Sequence, residues 1–269
     1  MLKNKSLWTS IAVFGILALI FAFSDLAISE NFATPQSKWA YFMEAYGQLP
    51  GMLIAFLGSN ILLRLMRLEK TFKSITSTID LFILTAFMGI IFWVNALGQQ
   101  VGQEVDYLLV LGLSIVLLIT IQVWFHRIPD ENMQEYKVFG QIAISLFFLA
   151  GVITVWGIKI PWGRWTFRDM MKFGDLSLYT PWYLPQGNNG HHSFFSGHTA
   201  LAFCVLPVVL FFRKNKTQYT IAWILVMLWG GIMAISRVKI GAHFPSDVLF
   251  GGGQTILWFW LLKKKFLKE

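Results

Sequence analysis

The chain has 269 residues, of which 56% are hydrophobic, 16% aromatic and only 13% charged, with a mean hydropathy of +0.59. That balance excludes a soluble globular domain and describes a polytopic membrane protein. The net charge of +8 is spread in short clusters at the ends of apolar runs, with no continuous basic stripe, so it reads as membrane topology and excludes nucleic acid as a partner.

Eight apolar stretches are long enough to cross or nearly cross a bilayer, at roughly 7–24, 51–66, 80–98, 106–124, 138–158, 198–212, 218–235 and 245–262. The expected fold is an all-α polytopic membrane helix bundle forming a single domain over 1–269. The first run follows Lys3 and Lys5 but continues to Ser24 without a clear small-x-small cleavage site, which predicts an anchor and not a removable leader. Residues 25–50 read as a connection whose Ser37 to Tyr46 portion is amphipathic enough to lie along the interface, and no chemistry is assigned to it. The single cysteine, Cys204, sits inside an apolar run and serves packing.

With the N-terminus in the cytoplasm, the inside segments hold Lys3, Lys5, Arg64, Arg67, Lys70, Lys73, Arg127, Lys137, Arg213, Lys214, Lys216, Lys263, Lys264, Lys265 and Lys268, fifteen of the 22 Lys and Arg. Of the rest, Lys159, Arg164, Arg168, Lys172, Arg237 and Lys239 fall in two outside loops, and cations that break the topology rule need another reason to be there. The longer loop, about 159–197, ends in Ser196-Gly197-His198 at the start of an apolar run, where Ser196 can cap a helix and Gly197 lets the backbone approach an anion. The shorter contains Ser236-Arg237 and His243, followed by Asp247. If Pro245 opens a helix, Asp247 lies about one turn from the His243 ring and fixes its tautomer. Both loops lie on one face of the membrane, so a single outward-facing phosphate pocket is expected.

These residues resemble the type 2 phosphatidic acid phosphatase superfamily, which also includes vanadium haloperoxidases and membrane lipid phosphatases. Its three blocks are Lys-x6-Arg-Pro, Pro-Ser-Gly-His and Ser-Arg-x5-His-x3-Asp. Ser236, Arg237, His243 and Asp247 match the third completely; Ser196-Gly197-His198 match the second, with Phe195 in place of Pro. In the first, Lys159 fits, whereas Thr166 and Phe167 stand where Arg and Pro are usual. The resemblance covers roughly 135–262 and implies a six-helix core, with the two N-terminal helices accessory.

It also implies a metal-independent phosphatase acting on a lipid phosphomonoester or pyrophosphate, of the phosphatidic acid, phosphatidylglycerol phosphate or polyprenyl pyrophosphate type. His243 would attack phosphorus, with Asp247 on its other nitrogen, and His198 would act as general acid and then base. Lys159, Arg237 and the Ser196 and Gly197 amides would hold the phosphoryl oxygens. Arg164, which follows Gly163 near Lys159, is expected to supply the cation missing at Thr166, in preference to Arg168. No cofactor is implied, and the surrounding cations disfavour reading His198, His243 and Asp247 as metal ligands. The implied location is a bacterial plasma membrane, with both termini cytoplasmic and the site on the outer face. The alternatives are a phosphotransferase using the same phosphohistidine and a non-catalytic lipid-binding or transport protein.

Other features have plainer readings. Trp162, Trp165, Phe167, Trp182, Tyr183, Phe194 and Phe195 suit an interfacial aromatic belt, Lys172 suits anionic headgroups, and His191 and His192 suit either solvent or a supporting role. Gly251-Gly252-Gly253 lies within an apolar run and suits close helix packing.

Overall fold

The structure is a computed structural model that describes residues 2–66, 72–97 and 106–267. Arg67, Lys70 and Lys268, three of the cations assigned to the cytoplasm, lie outside the described residues. The described elements are helical throughout, without strands. Six segments are long and apolar enough to cross a membrane: Ile11–Phe32, Lys38–Met66, Ser77–Leu97, Tyr107–His126, Asp130–Phe173 and Lys216–Lys239. The other two expected spans are the shorter apolar stretch Gly197–Phe212 and the 23-residue helix Pro245–Leu267.

Helix α1, Leu2–Phe32, runs eight residues beyond the end expected at Ser24. Ser24 donates to the Ile20 carbonyl and Asn31 to that of Ala27, while Asp25 finds partners across the bundle, so these polar residues do not force the helix to stop. The expected 25–50 loop is therefore mostly helix. It contains the end of α1, then α2, Lys38–Tyr46, and the start of α3, Leu49–Met66. In α2, Ala40 and Met43 are buried while Trp39, Tyr41 and Phe42 are exposed, the two-faced character of an interfacial helix with its inner face packed. Helices α4, Phe72–Leu97, and α5, Tyr107–His126, pack with α3 around Phe56, Met88, Leu118 and Phe125.

After the short α6, Asp130–Glu135, a continuous helical rod leads to the site. It consists of α7, Lys137–Leu146, a π-helical stretch, Phe147–Thr154, and α8, Val155–Trp162. Gly163, at φ +59°, ends α8 in a left-handed turn. A Cβ there would overlap the Gly187 carbonyl oxygen, so this turn demands glycine. Helix α9, Phe167–Phe173, follows.

Helix α10, Gly197–Phe203, is only seven residues long and continues through Cys204 and Val205 into a 3-10 stretch, Leu206–Phe212. The steeper rise of the 3-10 stretch lets this segment reach about 28 Å, close to the ~30 Å thickness of a bilayer's hydrocarbon core. Helices α11, Lys216–Lys239, and α12, Pro245–Leu267, complete the bundle. The glycine triplet of α12 serves close packing, as expected: Cβ atoms at Gly251, Gly252 and Gly253 would strike the Ser196 carbonyl, the Phe203 ring and the Phe14 ring.

Candidate active site

The C-terminal ends of α1, α8 and α11 and the N-terminal ends of α10 and α12 meet at one end of the bundle, where the residues of all three sequence blocks gather. Helix α11 stops when the N–H groups of Ala242 and His243 both turn back to the Arg237 carbonyl, at 3.0 and 3.3 Å. Gly241, at φ +70°, makes that reversal possible. His243 thus sits in a tight turn between two helices, 5% exposed.

Pro245 opens α12, as the sequence predicts, and Asp247 falls in its first turn. One Asp247 oxygen, Oδ2, accepts from the Phe244 N–H at 2.9 Å and from the Ser193 hydroxyl, so it caps its own helix in the manner of a capping box. The same oxygen lies 3.5 Å from His243 Nδ1, facing the ring at a separation longer than a good hydrogen bond. Burial, opposed by this carboxylate, pushes His243 down to about 4, which keeps the imidazole neutral near pH 7.

Around this pair stand the cations. Lys159 donates to the His192 carbonyl at 2.8 Å, and its charge acts on His198, His243 and Asp247. Arg237 is 3% exposed. Its Nη1 lies 2.9 Å from Glu44 Oε1, yet Nε and Nη1 have no aligned hydrogen-bond acceptor among the described residues. Such buried, unanswered donors are costly unless an anion visits them. Arg168 shares the same Glu44 oxygen at 3.7 Å. His198, in the first turn of α10, feels the charges of Arg237, His243, Lys159 and Arg168 together.

The geometry revises several expectations. Arg164 does not offer itself to phosphate. Its Nε donates to the Thr180 carbonyl at 2.8 Å, Nη1 to Ser246 Oγ at 2.9 Å and to Asp247 Oδ1, and Nη2 to Asp25 Oδ2 at 2.9 Å. Phe244 covers its face at 4.2 Å, so this arginine is bound behind Asp247. Thr166 caps α9, accepting from the Asp169 N–H and donating to its carboxylate, and is no ligand.

The Ser196 amide is also taken, by the Asp247 carbonyl at 2.9 Å, and its hydroxyl caps Thr199. Gly197 and His198 remain as first-turn amides without an intrahelical acceptor. Among the aromatics, Phe167, Phe194 and Phe195 are buried and only part of the expected belt, such as Tyr183, is exposed. Phe194 packs against Trp162, Trp182 and Phe250, because the 174–196 loop folds back over the end of α8. His191 stacks on Trp165 and His192 closes over Lys159, a supporting arrangement.

Three residues went unassigned in the sequence: Asp25, Glu44 and Ser193. Asp25 carried the one available signal, a lone acid at the end of an apolar run.

The sequence model of the PAP2 superfamily matches residues 140–269. Over these residues, just under half of the chain, the protein is similar to the PAP2 superfamily. Phosphatidylglycerophosphatase B of Bacillus subtilis is 37% identical over 92 residues, covering 31% of this chain and 43% of that protein. The Haemophilus influenzae protein of the same name is 34% identical over 109 residues, 36% of this chain and 43% of its own length. Lipid A 4'-phosphatase of Francisella tularensis subsp. novicida is 24% identical over 136 residues, 50% of this chain and 61% of its own length. The matches thus span about half the length of these relatives. No solved structure is a significant match. Helices α1 to α6, with Asp25 and Glu44, lie outside the PAP2 match.

Proposed function

We propose that this protein is a metal-independent phosphatase of lipid phosphates that works through a phosphohistidine on His243. The observation that carries the reading is the meeting of a neutral, carboxylate-facing imidazole with Arg237, a buried arginine paired on one side with Glu44 and left with its Nε unanswered among the described residues. Nδ1 faces Asp247, so Nε2 is the nitrogen directed at phosphorus. As the Nε2–P bond forms and the lipid P–O bond breaks, Asp247 stabilises the positive charge left on the ring. His198 delivers a proton to the departing lipid oxygen, then takes one from the water that cleaves the phosphoenzyme and releases inorganic phosphate. Lys159, Arg237 and the Gly197 amide hold the equatorial oxygens. Arg168, which shares Glu44 with Arg237, supplies the cation absent at Thr166.

The relatives' names favour phosphatidylglycerol phosphate as the first substrate to try within a panel of lipid phosphates. The clusters Arg213, Lys214 and Lys216, and Lys263 to Lys265, lie at the bundle end opposite the site, which supports an outward-facing site in a bacterial plasma membrane.

Purified protein in detergent should release phosphate from one or more lipid phosphates in EDTA, and vanadate, which adopts the five-coordinate geometry of the transferring phosphorus, should block release. His243→Ala should abolish both turnover and the acid-labile phosphoenzyme. Dependence on a divalent cation, or turnover surviving in His243→Ala, would sink the reading.

A further inference from the structure

Asp25 is an acid on a membrane-spanning helix with no exposed surface. A buried charge persists only where partners compensate its desolvation, and every partner of Asp25 belongs to the site. Its Oδ2 accepts from Arg164 Nη2 at 2.9 Å and from the Ser246 hydroxyl; its Oδ1 accepts from the Ser246 N–H at 2.9 Å. Ser246 immediately precedes Asp247, and Arg164 grips Asp247 through its other terminal nitrogen. A carboxylate on α1 is therefore one link from the carboxylate that faces His243.

We propose that Asp25 is a positioning residue of the active site, setting the Asp247 carboxylate against His243 through Arg164 and the first turn of α12. The proposal rests on the roles given above to His243 and Asp247. Two effects support it. The guanidinium is a planar fork; with Asp25 on one tine and Asp247 on the other, its plane is fixed. Without Asp25 the fork is free to turn and take both oxygens of Asp247, withdrawing Oδ2 from the imidazole. The second effect is electrostatic. Arg164 and Asp247 alone cancel, whereas the trio with Asp25 carries net negative charge, and that charge favours the cationic ring formed when the N–P bond is made. Both effects act on the chemical step and leave phosphate binding by Lys159 and Arg237 intact.

The test uses the full chain in detergent. Asp25→Asn should lower kcat on the order of a hundredfold, with KM and inhibition by inorganic phosphate within about threefold of wild type. Added to Arg164→Gln, the same change should cost about tenfold or less, because the fork that Asp25 orients is gone and only its charge and its Ser246 contact remain. Asp25→Glu, which restores the charge, should recover about tenfold of the loss in kcat. Equal losses from Asp25→Asn in both backgrounds, or a parallel weakening of phosphate inhibition, would overturn the proposal. Should the Asn variant fail to fold, the Glu variant decides: reduced kcat at unchanged KM supports the assignment, and unchanged kcat overturns it. Failure of the underlying reading is distinct, since it appears in the wild type as absent hydrolysis or as activity surviving His243→Ala.

Discussion

Arg164 and Arg237 are 1% and 3% exposed and look interchangeable as buried cations, yet their surroundings give them opposite tasks. Arg164 is held by two carboxylates, a hydroxyl and a carbonyl; Arg237 has one carboxylate neighbour, Glu44, and no acceptor for Nε among the described residues. Removing Arg164 strands Asp25 and Asp247 in the interior. Arg164→Gln should accordingly cost about 3–5 kcal/mol of stability, visible as a large fall in melting temperature. Arg237→Gln should cost less stability, because Glu44 is partly exposed and keeps Arg168 as a partner, but should weaken inhibition by inorganic phosphate about tenfold or more. The opposite pattern would return Arg164 to the phosphate. Sequence spacing exposed His243 and Asp247 because their relation is local, one helical turn begun by Pro245. It could not expose the partners of Arg164, because Asp25 is 139 positions away and no periodicity links residues that meet only in the folded bundle. Glu44 was hidden for the same reason, inside a stretch whose amphipathic pattern advertised only a surface.

At the level of helices, apolar runs revealed where the elements are, and the ends escaped where polar side chains found partners inside the helix or across the bundle, as Asn31 and Asp25 do in α1. The junction between α10 and α12 was legible only in outline. Gly251 was assigned to packing, but a run of glycines does not name its neighbour. The structure names it: a Cβ at Gly251 would come within 2.5 Å of the Ser196 carbonyl oxygen. Gly251→Ala should therefore push α12 from the start of α10, costing about 1–3 kcal/mol and a measurable part of kcat. Gly231→Ala, on α11 with nothing within 4 Å of the added carbon, is the control and should be neutral or slightly stabilising. Equal effects at both positions would mean that the tight contact is not what limits α12.

Across the whole molecule, the site can be single only if the helices carrying its parts end on the same side of the bilayer. Cysteines introduced at Gln186, in the loop beside the site, and at Lys265, at the far end of α12, should react with an impermeant reagent from opposite sides, with Gln186 outside. Cys204 is buried and should stay silent. Labelling of both from one side would break the single-pocket arrangement. The joint between α10 and α12 also bears on motion. Ser196 donates its amide to the Asp247 carbonyl and presses its own carbonyl against Gly251, so the backbone that carries His198 is clamped to the backbone that carries Asp247. The two histidines ride on one rigid body. Any opening that admits a lipid has to come from other walls of the site. Tail length should therefore be felt as the ease of entry and exit, while the distance between nucleophile and acid stays constant from one substrate to the next.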